Sequence, residues 1–208
     1  KPKYYGLQAG EKTYADFTLE VTNPGGHSSR PGAINAIAEL SEALAKIGAY
    51  RFTPQQNELT KFGMPIVADQ VGGAIGAALK TFAANPADTA AIATITADPE
   101  YVGQIGTTCV PTLVNGGHAE NALPQRATAN INCRIFPGVP VEAVRAELER
   151  VIADPAVAVK PDPDASASDA SPLRPDVMAA VTKAVHARFP GLPIIPSMSA
   201  GATDSYHF

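Results

Sequence analysis

The sequence predicts an α+β fold, a split βαβ (ferredoxin-like) two-layer sandwich in which a four-stranded antiparallel sheet carries helices on one face, with a helical insertion. Three observations predict it. Residues 14–23 and 127–136 alternate between apolar and polar side chains, the period of half-buried strands. Residues 34–47 repeat their apolar positions at helical spacing. The elements follow one another as β-α-(insertion)-β-β-α-β.

In the first strand Phe17, Leu19 and Val21 share one face, and Asp16, Thr18, Glu20 and Thr22 share the other. A GGHSSRP turn follows, with Ser28 or Ser29 as a candidate helix cap. The helix starting near Ala33 then sets Ile34, Ile37, Leu40, Leu44 and Ile47 as a stripe toward the sheet, and Gly48 stops it. Residues 49–104 are dominated by Ala, Gly and Pro and read as a mostly helical insertion within the same domain. Within it 69–84 is a helix, and 88–97 fits helix or strand.

Residues 107–114 form a strand, and Pro111, which cannot donate to a ladder, assigns it to a sheet edge. In the next strand Ala127, Ala129, Ile131, Cys133 and Ile135 face one way, so Arg134 projects from the polar face. A helix at 141–153 and a strand at 157–160 complete the unit. The run PDPDASASDAS at 161–171 is a linker, followed by a helix at 175–189 and a weak edge strand at 192–197. The division is an incoming linker at 1–12, a main domain at 13–163, a linker at 164–171 and a fragment of a second domain at 172–208.

Charged residues make up 17% of the 208 residues and the net charge is −4, so no basic stripe exists to attract nucleic acid. The 45% hydrophobic content supplies an ordinary core, and no apolar run approaches the roughly 20 residues that span a bilayer. The opening KPKYYGLQAGEK lacks the apolar stretch of a signal peptide. A soluble protein is expected, cytoplasmic or periplasmic. Cys109 and Cys133 belong to no zinc-binding CxxC pattern. Two reduced, buried thiols are the first reading; a cross-strand disulfide is the alternative for an exported protein.

Two separated motifs carry the functional signal: GGHSSRP at 25–31 and NGGHAENALPQRATANINCRIFPG at 115–138. Together they resemble the lid, or dimerisation, domain of the M20 family of metal-dependent exopeptidases and amidohydrolases. The resemblance runs from 13 to 161 and resumes at SAGATDS. It implies a zinc-dependent parent enzyme in which metal-activated water, assisted by a glutamate absent from this chain, attacks a C-terminal peptide or N-acyl amino acid amide bond. It also implies a homodimer built on the lid through the edge strand and the helix near Ala33. The HxD and Glu-Glu motifs that hold metal in this family do not occur here, and His118-Ala119-Glu120 is a poor imitation. Zinc is therefore a cofactor of the parent, and the chain alone is expected to be inactive.

By the same resemblance, His27 stabilises the oxyanion of the tetrahedral intermediate in the partner's active site, against the plain reading of a polar turn residue. Asn121 and Arg134 hold a substrate carboxylate, Arg134 through its planar fork, against the plain readings of a turn amide and a solvated strand charge. Gly116 and Gly117 permit a positive φ or close approach to ligand, although an ordinary turn also needs such residues. Thr203 lies in GATD, which resembles a GGTD loop of the family's substrate pocket but has Ala at its second position. Arg126, at a strand start, is a weaker candidate, and surface or packing roles suit His118, His186 and His207. Two rival readings remain: a non-catalytic split-βαβ module binding a small metabolite or a protein, and an N-deacetylase or desuccinylase of the same superfamily.

Overall fold

The computed structural model describes residues 3–167 and 169–203. In chain order, β1 (Tyr5–Glu11) is separated from β2 (Thr13–Thr22) by Lys12 alone, and the short β3 (Gly26–His27) precedes α1 (Ala36–Ala49). The insertion holds α2 (Glu58–Val71), α3 (Gly73–Ala84) and α4 (Thr89–Thr96). Then come β4 (Thr108–Gly116), β5 (Ala122–Leu123), β6 (Arg126–Ile135), α5 (Val141–Ile152), β7 (Ala158–Pro161), α6 (Pro175–Arg188) and β8 (Ile194–Ser199).

The main sheet has the order β4-β6-β2-β7, with every neighbouring pair antiparallel. The alternation seen in sequence sets its two faces. Ala15, Phe17, Leu19 and Val21 of β2 and Ala127, Ala129, Ile131, Cys133 and Ile135 of β6 form one core with α1 and α5. Helix α5 contributes Val144, Leu148 and Ile152. Helix α1 keeps the later part of the expected stripe, with Leu40 and Ile47 buried and Leu44 packed against the same core, while Ala36 and Ala43 join them and Ile34 and Ile37 are exposed. Ile34 precedes the helix, and Ile37 in its first turn lies at the sheet edge beside Gly116. Asn35 caps α1, its side chain accepting from the Ile37 and Ala38 amides, so neither Ser28 nor Ser29 serves as the cap.

Strand β4 is an edge strand, as Pro111 requires, and its register with β6 slips between Pro111 and Leu113. Cys109 and Cys133 face each other across this ladder with Cα atoms 4.1 Å apart and are joined as a disulfide. The first reading of two reduced thiols is therefore corrected. Equal spacing from the connecting turn put the two residues directly opposite one another.

Two further differences concern the flanks. The segment read as an incoming linker contains β1, which pairs in parallel with β8 from Tyr5↔Ile194 onward. Its sequence YGLQAGE lacks an apolar alternation, and its partner lies at the far end of the chain, so no local signal marks it. The expected 69–84 helix is divided at Gly72 between α2 and α3, and 88–97 contains the helix α4. Leu79, Phe82, Ile95 and Met64 form a core of the insertion's own, separate from the sheet's. Helix α2 packs on β8, where a Cβ at Gly63 would come 2.7 Å from the Pro196 carbonyl oxygen. No helix among the described residues is long and apolar enough to cross a membrane.

The disulfide ties an edge strand to a central one across 24 positions, a loop for which chain-entropy arguments give about 3 kcal/mol of stabilisation. Replacing both cysteines by alanine is expected to lower the unfolding free energy by about that amount in urea. Dithiothreitol should produce a similar fall in the wild type and none in the double variant.

Candidate functional site

The two motifs singled out in sequence are joined in space. Gly25 takes φ +77, and a Cβ there would come 2.6 Å from the Gln125 side chain, so this position needs glycine on both counts. The chain then forms β3 against β5, pairing Gly26 with Leu123 and His27 with Ala122. The Ser28 amide donates to the Asn121 carbonyl oxygen at 2.9 Å. His27 and Asn121 thus occupy one exposed corner, held by backbone bonds.

The ring of His27 is oriented by its own turn. The Ser29 amide donates to Nδ1 at 3.2 Å, and the Ser29 hydroxyl lies 2.8 Å from the same atom. Nδ1 is therefore an acceptor, and in the neutral ring the proton resides on Nε2. An exposed side chain with Nε2–H as its outward donor can hydrogen-bond an oxygen that gains negative charge. Gly117, at φ +83, turns the chain beyond β4. Gly116 lies within β4, where a Cβ would come 3.0 Å from Ile37 and 3.3 Å from Ala127, so packing alone accounts for it.

Arg134 lies elsewhere. It is opposite Tyr14 on β2 and Thr108 on β4, eight positions along β6 from Arg126, or about 26 Å at strand spacing. Within one chain the structure does not bring Arg134 to Asn121. The Arg134 guanidinium stacks 4.6 Å above the Tyr14 ring and makes no hydrogen bond or ion pair among the described residues. Arg126 is the opposite case, since its Nε donates to Glu20 at 2.8 Å and Lys160 joins the same carboxylate at 2.6 Å.

Two cavities meet at Arg134. One, of about 390 Å³, is walled by Glu11, Lys12, Tyr14, Asp164 and Thr203. The other, of about 540 Å³, is more apolar and is walled by Tyr50, Phe52, Val102, Ile105 and Val110. The insertion supplies much of that second wall. Thr203 is exposed, and its hydroxyl donates to Glu11 Oε2 at 2.7 Å. Asp204 and His207 lie outside the described residues.

Beside Arg134 the polar face of the sheet is organised by Asp16, which sequence reading treated as one polar residue among several. It accepts from Asn130 and Asn132 at 2.9 Å each and from the Tyr14 hydroxyl at 2.7 Å. Burial pushes its carboxyl up, but these hydrogen bonds and the Arg134 charge outweigh burial and hold it below the usual carboxylate range. His186 Nε2 lies 3.0 Å from the Leu192 carbonyl oxygen, a packing role, and His118 is exposed in its turn. Among the described residues no three His, Cys, Asp or Glu side chains come together in a metal-binding group, so they do not fit a zinc centre.

Sequence reading also missed Lys12. It has no solvent exposure, and its Nζ is buried without a hydrogen-bond partner among the described residues. Burial first, and the Arg134 charge second, lower its pKa to about 7. The flanking GEKTY sequence gives no sign of burial, because a lysine before a strand normally sits in water. An unfolded lysine titrates near 10.5, so between about pH 7 and that value the unfolded chain binds the extra proton. Stability contributed by this group therefore rises with pH across that window and is flat below it. Lys12→Met is expected to raise the unfolding free energy by a few kcal/mol, on the order implied by such a shift, at about pH 6. That gain should shrink toward zero as the pH approaches 10, as urea titrations of both proteins would show. A gain that does not vary with pH would contradict the assignment.

Comparison with known proteins agrees with this architecture. Residues 9–160 match the family described as the peptidase dimerisation domain, M20_dimer. The chain is 26% identical over 210 residues to a probable carboxypeptidase S-like 2 of Dictyostelium discoideum, covering 95% of this chain and 38% of that protein. It is also 26% identical over 212 residues to the N-fatty-acyl-amino acid synthase/hydrolase PM20D1 of Xenopus tropicalis, covering 95% and 39%. The chain thus spans about two fifths of the length of these curated relatives. Among solved structures, the M20 family metallo-carboxypeptidase Sso-CP2 from Sulfolobus solfataricus superposes with a TM-score of 0.60 at 15% identity, over 96% of this chain and 55% of that one. Human carnosine dipeptidase 1 gives 0.56 at 14% identity, over 99% and 47%. These two likenesses show a shared fold. With the family match covering most of its length, and with the four-stranded antiparallel sheet and its two helices in place, the chain belongs to the M20 peptidase dimerisation-domain family.

Proposed function

We propose that this chain is the dimerisation part of a zinc-dependent M20 exopeptidase or amidohydrolase that cleaves a C-terminal peptide or N-acyl amino acid amide bond. The observation that carries the reading is Arg134, a stacked guanidinium that pairs with no anion among the described residues, at the meeting point of two cavities. Such a fork suits a carboxylate, and the apolar cavity beside it suits the substituent attached to that carboxylate. The zinc and its ligands belong, in this reading, to the rest of the parent protein.

His27 and Asn121 act on the same substrate from a second copy. Thr108, at the start of β4, lies opposite Arg134, and Gly116, at its end, lies opposite Ala127 near the His27 corner. Two edge strands related by a two-fold axis pair antiparallel. Each Arg134 end then adjoins the partner's His27 end. The surface for such pairing exists: Val110, Leu113 and Val114 of β4 and Ile34 and Ile37 at α1 are exposed, between 44% and 66%. In that arrangement Arg134 orients the carboxylate, Asn121 adds an amide donor, Gly117 leaves room for the substrate, and Thr203 borders the pocket. His27 Nε2–H meets the oxygen that becomes negative.

These roles fail differently in the parent enzyme. His27→Ala is expected to lower kcat and kcat/KM together by about 100-fold or more, since the bond forms only as charge develops. Arg134→Ala should mainly raise KM for free acids, and substrates with an amidated C-terminus should lose less; equal losses would remove Arg134 from the site. Mixing a His27→Ala subunit with one disabled only at its metal site should restore activity, because the intact His27 then serves the metal-competent neighbour. No recovery would place His27 in its own chain's site.

A further inference from the structure

Lys12 is the single residue between β1 and β2, the point at which the chain passes from one sheet to the other. Its Nζ lies 3.7 Å from where a Cβ on Gly103 would stand, and a Cβ there would also lie 3.0 Å from Ala200. Insertion, β8 and main sheet therefore converge on this ammonium. Lys12 and Arg134 line the same cavity, and neither has an anionic partner among the described residues. Two neighbouring cations raise each other's energy, and a low-dielectric setting strengthens that repulsion.

The charged and titratable groups that face them do not resolve it. Glu11 accepts from Thr203 and from Gln8, and Asp16 accepts from Tyr14, Asn130 and Asn132. Asp162 and Asp164 stand exposed at the rim, where water screens them. The Tyr14 hydroxyl is engaged with Asp16, and its ring lies under Arg134.

We propose that Lys12 and Arg134 form one carboxylate-binding site in which the substrate's carboxylate is the missing counter-ion of both. This rests on the reading of Arg134 given above. Arg134 meets the ligand through its fork, and Lys12 is a positioning residue that acts through the field of a buried charge. Before a carboxylate binds, burial and Arg134 hold Lys12 near the point where it loses its proton. An incoming carboxylate reverses the sign of its surroundings, and Lys12 takes up a proton from solvent. Binding and protonation are then linked, and the site is selective for carboxylates over amides.

Calorimetric titration of the 208-residue chain with N-acetyl-L-phenylalanine, in two buffers of different ionisation heat, counts the protons exchanged. At about pH 8, uptake should approach one proton per site, and at about pH 6 it should fall toward zero as Lys12 is already charged. Lys12→Met should abolish uptake and weaken binding about tenfold or more while raising the thermal midpoint, a combination that misfolding does not produce. Arg134→Met should lose binding, and N-acetyl-L-phenylalaninamide should bind without uptake. Unchanged uptake or affinity in Lys12→Met overturns the proposal, as does absence of binding by the wild type. Affinity lost in Arg134→Met but kept in Lys12→Met removes Lys12 alone and leaves the proposed function standing. A parent enzyme inert toward peptides and N-acyl amino acids, with uptake intact in this chain, removes that function and leaves the site.

Discussion

The ladder between β2 and β6, unbroken from Thr13↔Ile135 to Thr22↔Arg126, is the constraint on which the molecule depends. A period of two in both strands, held in register, sends every odd-numbered side chain from Ala15 to Val21 and from Ala127 to Ile135 into the core. The even-numbered ones are left on the other face. A slip of one residue would exchange Phe17 and Ile131 for Asp16 and Asn132. The same register brings Tyr14 against Arg134 and so fixes the stacked guanidinium. Core and candidate site are two faces of one pairing.

Much of this was legible. The alternations, the edge position enforced by Pro111 and the helical spacing of α1 gave the sandwich and its strand identities, because each signal is local and has one physical cause. What escaped was non-local. The sequence of β1 has no apolar alternation, and it is a strand because β8 lies beside it. The stripe of α1 was legible at Leu40, Leu44 and Ile47, while Ala36 and Ala43, which contribute little to a hydrophobic pattern, are buried where Ile34 and Ile37 are not. The cysteines were assigned by general habit, and the ladder decided otherwise.

For the site, the motifs led to His27, Asn121 and Arg134 and gave no measure of the distance between them. Along one sequence Asn121 and Arg134 lie thirteen residues apart and read as a single constellation. In space β6 carries them to opposite ends of the sheet. Asp16 and Lys12 were missed for complementary reasons. An aspartate on a polar face looks like any solvated carboxylate, and Lys12 is met by Gly103 and by the Ser199 carbonyl, both remote in sequence.

The separation of the two ends gives the proposed dimer a physical reason. A substrate cleft that opens and closes needs groups on both its walls. A rigid four-stranded sheet cannot bend its His27 corner back over Arg134, since that would break the β4–β6 and β2–β6 ladders that hold the core. In the proposed dimer a two-fold copy supplies the second wall at the cost of surface alone, and each sheet stays intact. The edge strand required for that pairing is pinned to β6 by a disulfide at Cys133, directly before Arg134. The covalent tie thus lies where the proposed dimer surface, the apolar cleft and the cation pair adjoin, and rigidity at that point fixes all three relative to one another.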